Sequence, residues 1–298
     1  MSALPESGEE ARSAGPAILA MCFGVLCLVA NDGMAKWLTT HYAPLQIVFL
    51  RNLLALPMIA AIVLSIGGWA ALRTHHLRIH AWRGLLLVGG AYSFFVGLKF
   101  LPLAEATSLI FAAPMFITAL SVPLLREHVG WRRWGAVIVG FAGVLIIVRP
   151  GASAFQPASL YVVATAALYA FFMIAARWID RREGFWTMMF YMVLFPLLFS
   201  GAIVATVWQT PELRHLPLFL GMAVFGTLGM TLITQGFRLA PAAVVAPFDY
   251  TALIWASLLG WLVWGEIPGV WTYAGAAVII ASGIYIVIRE TRKSGTDR

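Results

Sequence analysis

The chain has 298 residues, of which 61% are hydrophobic and 11% charged, with 20 Lys and Arg against 13 Asp and Glu. An ordinary soluble domain carries about 25% charged residues, so a water-soluble fold has no means of covering this much apolar surface and is excluded. The formal charge of +7 argues for a nucleic-acid partner only if the basic residues share a patch, and their order along the chain shows that they do not.

Apolar runs recur along nearly the whole sequence, separated by short connections with Arg, Pro and Gly. About 20 such residues make a helix that crosses roughly 30 Å of hydrocarbon, and every backbone group inside it must pair within the segment. A closed β-barrel would need alternation of polar and apolar residues, and Ala17 to Ala30 does not alternate. Met1 to Ser13 is polar and acidic without the basic region of a leader, so it reads as a cytoplasmic tail. Ten spans are expected near 16–38, 44–67, 82–101, 104–125, 131–148, 158–176, 185–207, 216–237, 241–263 and 269–288.

The first span carries both cysteines, Cys22 and Cys27, which indicates neither a disulfide framework nor a metal site. It also carries Asn31 and Asp32, and the second span carries Arg51 and Asn52. Counted from Leu38 and Pro44, Asp32 and Arg51 lie at similar depth, roughly 10 Å below one surface. A charge there needs a partner or a task. The pair either ties two helices together or forms a gate or grip for a zwitterion, Arg taking a carboxylate and Asp an ammonium.

The third span brings Tyr92 and Phe95, the fourth Phe111, the sixth Tyr169, and the seventh Tyr191. A tyrosine hydroxyl seeks a partner, so Tyr92, Tyr169, Tyr191 and Tyr250 are expected to face the bundle or a cavity. Asp249, in the ninth span, lies about 12 Å from that span's start, with no basic residue at comparable depth in the second half. It suits a proton-coupling site or a contact to a substrate amine, or else hydrogen bonds to Thr231, Thr234 or Gln235 on the preceding helix. An apolar, ring-rich interior in which Arg51 is the one deep basic residue fits a partly apolar solute better than a phosphorylated one. All six histidines fall in loops or at span ends, which argues against an intramembrane hydrolase. There is no Gly-rich Lys-Ser/Thr loop for a nucleotide.

When the connections are taken alternately, fifteen Lys and Arg fall on one side, and only Lys36, Lys99, Arg149 and Arg214 on the other. The positive-inside rule then places both termini in the cytoplasm, which requires an even number of spans. The sequence also repeats itself. Gly90, Gly97, Lys99, Pro102, Glu127 and Gly130 match Gly229, Gly236, Arg238, Pro241, Glu266 and Gly269 at a spacing of 139, and Trp131, Gly135, Gly143 and Arg149 match Trp271, Gly275, Gly283 and Arg289 at 140. Ala35-Lys36-Trp37-Leu38 echoes Ala176-Arg177-Trp178-Ile179 at 141. The period divides ten spans into five and five, and an odd number per half inverts the second half in the membrane, the arrangement that alternating access requires.

Leu101-Pro102-Leu103-Ala104-Glu105-Ala106-Thr107-Ser108 with Pro114 and Leu125-Arg126-Glu127, and Ala246-Pro247-Phe248-Asp249-Tyr250 with Trp264-Gly265-Glu266, carry a family resemblance. Over about residues 16 to 290 the chain resembles the drug/metabolite transporter superfamily and, within it, the ten-span family of two EamA-type repeats. The resemblance implies an all-α polytopic membrane protein of ten transmembrane helices in two inverted five-helix repeats, at 16–150 and 151–290, between cytoplasmic tails 1–15 and 291–298. It implies a central cavity lined chiefly by the third, fourth, eighth and ninth spans with parts of the first and sixth. It carries no catalytic signature, and Pro114, Glu127 and Glu266 are expected to shape helix ends. Similar proteins export aromatic and other amino acids or import riboflavin or S-adenosylmethionine.

The resulting expectation is a secondary transporter of the inner membrane, not an enzyme, that exports aromatic and other neutral amino acids, with riboflavin or S-adenosylmethionine import as the alternative. The candidate binding or gating residues are Asn31, Asp32, Arg51, Asn52, Tyr92, Phe95, Phe111, Tyr169, Thr231, Gln235, Asp249 and Tyr250. No metal and no cofactor are expected. The partners are a small-molecule substrate and the lipid bilayer, with no nucleic acid, and the chain is expected as a monomer or weak homodimer.

Overall fold

The computed structural model describes residues 7–127, 129–152, 155–179 and 183–296. Met1 to Glu6, His128, Arg181, Arg182 and Arg298 lie outside the described residues. Among those described there is no strand, and ten helical segments are long and apolar enough to cross a membrane. In chain order they are Gly15–Leu38, Pro44–Ala70, Leu77–Phe100, Leu103–Leu125, Trp131–Val148, Ala158–Ala176, Phe185–Val207, Leu213–Leu239, Ala246–Trp264 and Val270–Ile288. The first, third, fifth, seventh and ninth spans leave the face that carries both termini, and the others return to it. We call these the terminal face and the far face.

The third span departs from expectation. It begins at Leu77, not near residue 82, because two basic residues that read as loop find company inside the bundle. His80 is buried, with Nε2 2.6 Å from Glu183 Oε1, and Arg83 is buried with its guanidinium 4.3 Å above the Phe172 ring. Lys36 is buried as well, so Arg51 is not the one basic side chain held at depth.

Hydroxyls within hydrocarbon need acceptors, and most of these turn back to their own helix. Thr107 donates to Leu103 O, Ser108 to Ala104 O, Thr118 to Pro114 O, Thr231 to Thr227 O and Thr234 to Met230 O, all at 2.7–2.9 Å. These groups are thereby satisfied without reaching across the bundle.

The packing obeys the repeat. The first span lies along the eighth and the third along the sixth; the second packs on the seventh, the fourth on the ninth and the fifth on the tenth. The third also meets the seventh as the eighth meets the second, and the fourth meets the sixth as the ninth meets the first. Shifting every span by five maps this set of contacts onto itself. The two halves are therefore inverted copies about an axis in the membrane plane.

Small residues permit the closest of these crossings. A Cβ on Gly229 would lie 2.9 Å from Gly24 O and 2.8 Å from Leu28 Cδ2, and one on Gly24 would lie 2.9 Å from Gly229 O. A Cβ on Gly135 of the fifth span meets nothing within 4 Å. Gly229→Ala should therefore destabilise by about 1–3 kcal/mol through overpacking against backbone. Gly135→Ala should be neutral or stabilising by its gain in helix propensity. Thermal unfolding of the two variants in detergent checks this, and equal melting temperatures would contradict the close crossing.

Candidate functional site

Two spans are broken, at equivalent positions of the two halves. The fourth consists of helices Leu103–Ile110 and Ala113–Leu125 separated by a turn at Phe111 and Ala112. Pro114 lacks an N–H, and its ring collides with the carbonyl four residues back, so a continuous helix cannot pass that point. The ninth, read from sequence as one helix over 241–263, is instead Ala242–Val245, a 3-10 turn Ala246–Thr251 holding Pro247, and Ala252–Trp264. Residues 246–251 are the repeat equivalents of 107–112. The breaks meet at Phe111 and Tyr250, themselves 139 residues apart, whose rings lie edge to face at 4.9 Å and 78°. A contact between equivalent residues of inverted repeats lies on the pseudo-two-fold axis. Interrupted helices at that axis are where transporters of this architecture place solute. The Tyr250 hydroxyl rests against Gly283 of the tenth span, where any Cβ would displace it.

Asp249 sits beside this contact. Its side chain is exposed. Tyr169 of the sixth span is 39% exposed, and both it and Tyr250 lie within reach of the Asp249 charge. No described residue donates a hydrogen bond to the Asp249 side chain. The alternative in which Thr231 or Thr234 ties it down is not seen, since both bond to their own helix. Gln235 is exposed and bonds to no described residue.

Nearer the far face, Asn31, Asp32 and Arg51 come together against Gly226 of the eighth span. Asn31 Nδ2 donates to Asp32 Oδ1 at 2.9 Å, and a Cβ on Gly226 would lie 2.9 Å from Arg51 Nη2 and 3.2 Å from Asn31 Oδ1. Asp32 and Arg51 feel one another's charge but form no ion pair within 4.0 Å. Asn31 Oδ1 is buried without a donor. Asn52 is not part of this group, because its Nδ2 donates to Val48 O of its own helix at 2.7 Å. Phe95 is fully buried in the hydrophobic core, whereas Tyr92 is 42% exposed.

The ends of the bundle hold a feature that inspection of single residues missed. On the far face Lys36 Nζ lies 2.5 Å from Glu266 Oε1 and donates to Leu101 O at 2.7 Å, while Leu103 N donates to Glu266 Oε2 at 3.1 Å. The ammonium also stands 5.3 Å from the Trp264 ring. On the terminal face Arg177 Nη1 lies 2.5 Å from Glu127 Oε1. Lys36 and Arg177 are repeat equivalents, and so are Glu266 and Glu127. Each Glu follows a residue in left-handed conformation that ends its helix, Gly265 at φ 66° and Arg126 at φ 55°. The two pairs differ in burial: the side chains are 9% and 24% exposed on the far face, and 59% and 37% on the terminal face. The far face is further tied by the Tyr42 hydroxyl to His215 Nδ1 at 2.6 Å and by Gln46, which donates to Gln209 O and accepts from Gln209 N. The repeated Lys/Arg and repeated Glu, taken as pairs and not singly, were the signal available in the sequence.

Among the described residues no three His, Cys, Asp or Glu side chains are grouped to hold a metal ion. The family model described as "EamA-like transporter family" matches residues 15–149 and 156–289. The chain is 31% identical to an S-adenosylmethionine uptake transporter of Rickettsia bellii, over 88% of this chain and 90% of that one. It is 32% identical to a riboflavin transporter of Vibrio cholerae, over 82% and 83%, and 26% identical to a pseudopaline exporter of Pseudomonas aeruginosa, over 83% and 87%. One solved crystal structure, 20% identical over 93% of this chain and 98% of its own, superposes with a TM-score of 0.63, a likeness of fold alone.

Proposed function

The chain belongs to the EamA-like transporter family, and from that premise we propose that it carries a cationic, ring-bearing metabolite across the inner membrane, with S-adenosylmethionine the leading candidate. The observation that carries this reading is the Asp249 carboxylate, set near Tyr169 and Tyr250 at the break of the ninth span with no ion-pair partner among the described residues. A lone carboxylate among aromatic faces suits a cation, which gains from both the charge and the rings. Riboflavin is uncharged and makes no use of it. The uptake function named for the Rickettsia bellii relative supports the same choice.

Export of aromatic amino acids, the narrower expectation from sequence, is the second reading. The same carboxylate can hold an ammonium, and the Phe111–Tyr250 pair a ring. In either case both termini lie in the cytoplasm, on the distribution of Arg and Lys. The two repeat-related ion pairs act as closures of opposite faces, the more buried one holding its face the more tightly.

Uptake into proteoliposomes, with and without a pH gradient, of labelled S-adenosylmethionine, phenylalanine and riboflavin tests the substrate. Saturable S-adenosylmethionine flux is expected. Movement of phenylalanine or riboflavin in its place would overturn the assignment.

A further inference from the structure

Arg83 of the third span has more donors than the fold uses. It lies six residues inside the helix from Leu77, only 3% exposed, with Nε and Nη1 both buried and without an acceptor. A buried donor left unpaired costs about 1–3 kcal/mol, more when it is charged. The position is therefore a liability unless something completes it. Glu183, whose charge reaches Arg83, is engaged by His80. The guanidinium carbon instead stands 4.3 Å from the centre of the Phe172 ring, against which Tyr169 stacks at 6.0 Å and 29°. Tyr169 is 39% exposed, and its hydroxyl bonds to no described residue.

We propose that Arg83, together with the Tyr169 hydroxyl, holds a carboxylate of the transported solute. The guanidinium fork matches a carboxylate in plane, and the Phe172 ring supports the cation. One guanidinium against one carboxylate balances a single negative charge, whereas a phosphate would leave charge uncompensated at this depth. Tyr169 lies in the field of both Arg83 and Asp249. This inference rests on the substrate reading above for its solute but on Arg83 for its chemistry.

Binding to the purified full-length protein distinguishes the two. Labelled S-adenosylmethionine is competed by itself and by its decarboxylated form, and labelled phenylalanine by itself and by phenethylamine, in wild type and in Arg83→Met. Wild type should prefer the carboxylate-bearing member by about 10- to 100-fold, the value of a charge-assisted bidentate contact. Arg83→Met should abolish that preference while leaving affinity for the decarboxylated member unchanged, and Tyr169→Phe should reduce it several-fold. Equal binding of both members by wild type overturns the proposal, whether or not any variant folds. So does a preference that survives Arg83→Met, or equal loss of both members in a folded Arg83→Met. If only the phenylalanine pair binds and its preference depends on Arg83, the S-adenosylmethionine reading falls and the carboxylate subsite stands.

Discussion

Asp249→Asn is expected to lower S-adenosylmethionine flux by about 10- to 100-fold, the loss of one charged contact to the solute, without lowering the melting temperature. The second half of that expectation separates function from architecture. No described residue bonds to the Asp249 side chain, so its removal breaks nothing in the fold. The side chain is exposed, so a neutral isostere should leave stability within about 0.5 kcal/mol of wild type. Asp249→Glu keeps the charge on a longer arm and should retain intermediate flux. A fall in melting temperature for Asp249→Asn, with flux per folded molecule unchanged, would make the residue structural and remove the main support for a cationic solute.

The second large effect is expected at the far face. Lys36→Ala leaves Glu266 without its ammonium in a site only 24% exposed and frees Leu101 O. Breaking a largely buried pair in this way costs about 3 kcal/mol, and the cost falls only on the state in which that face is sealed. The population should shift by roughly 100-fold toward opening there. With Cys22 and Cys27 replaced, a cysteine introduced at Leu103, fully buried beneath the pair, reports this as faster modification by a membrane-impermeant maleimide from the far side. Arg177→Ala removes an exposed pair worth at most about 1 kcal/mol and should change that rate by less than about 5-fold. Restoration by the swap Lys36→Glu with Glu266→Lys would tie the effect to the pair itself. Equal effects of Lys36→Ala and Arg177→Ala would contradict the inequality of the two faces.

The spans were legible because hydrocarbon thickness and backbone pairing leave little freedom. The fifth, sixth and seventh fall where the apolar runs put them. The inverted repeat was legible from glycines, prolines and acids at constant spacing, and its parity fixes the inversion. Asp249 stood out because a carboxylate at depth is rare. Other features required three dimensions. Arg83 reads as loop in a one-dimensional count because its stabilisation comes from Phe172, 89 residues away in sequence. The Lys36–Glu266 contact joins residues 230 apart, and each partner alone looks like a helix-end residue. The break in the ninth span was masked by unbroken hydrophobicity through Ala246-Pro247-Phe248, although Pro247 marked it. Thr231 looked like a partner for Asp249, but a hydroxyl in a helix has a nearer acceptor one turn back.

If the two ion pairs are closures that must alternate, holding either one shut stops transport. In a protein lacking Cys22 and Cys27, cysteines at Lys36 and Glu266 joined by a short bifunctional thiol reagent hold the far face shut, and cysteines at Arg177 and Glu127 do the same for the terminal face. Flux of S-adenosylmethionine in proteoliposomes should stop with either bridge alone and return when a cleavable bridge is reduced. Undiminished flux through a protein bridged at either pair would contradict alternation.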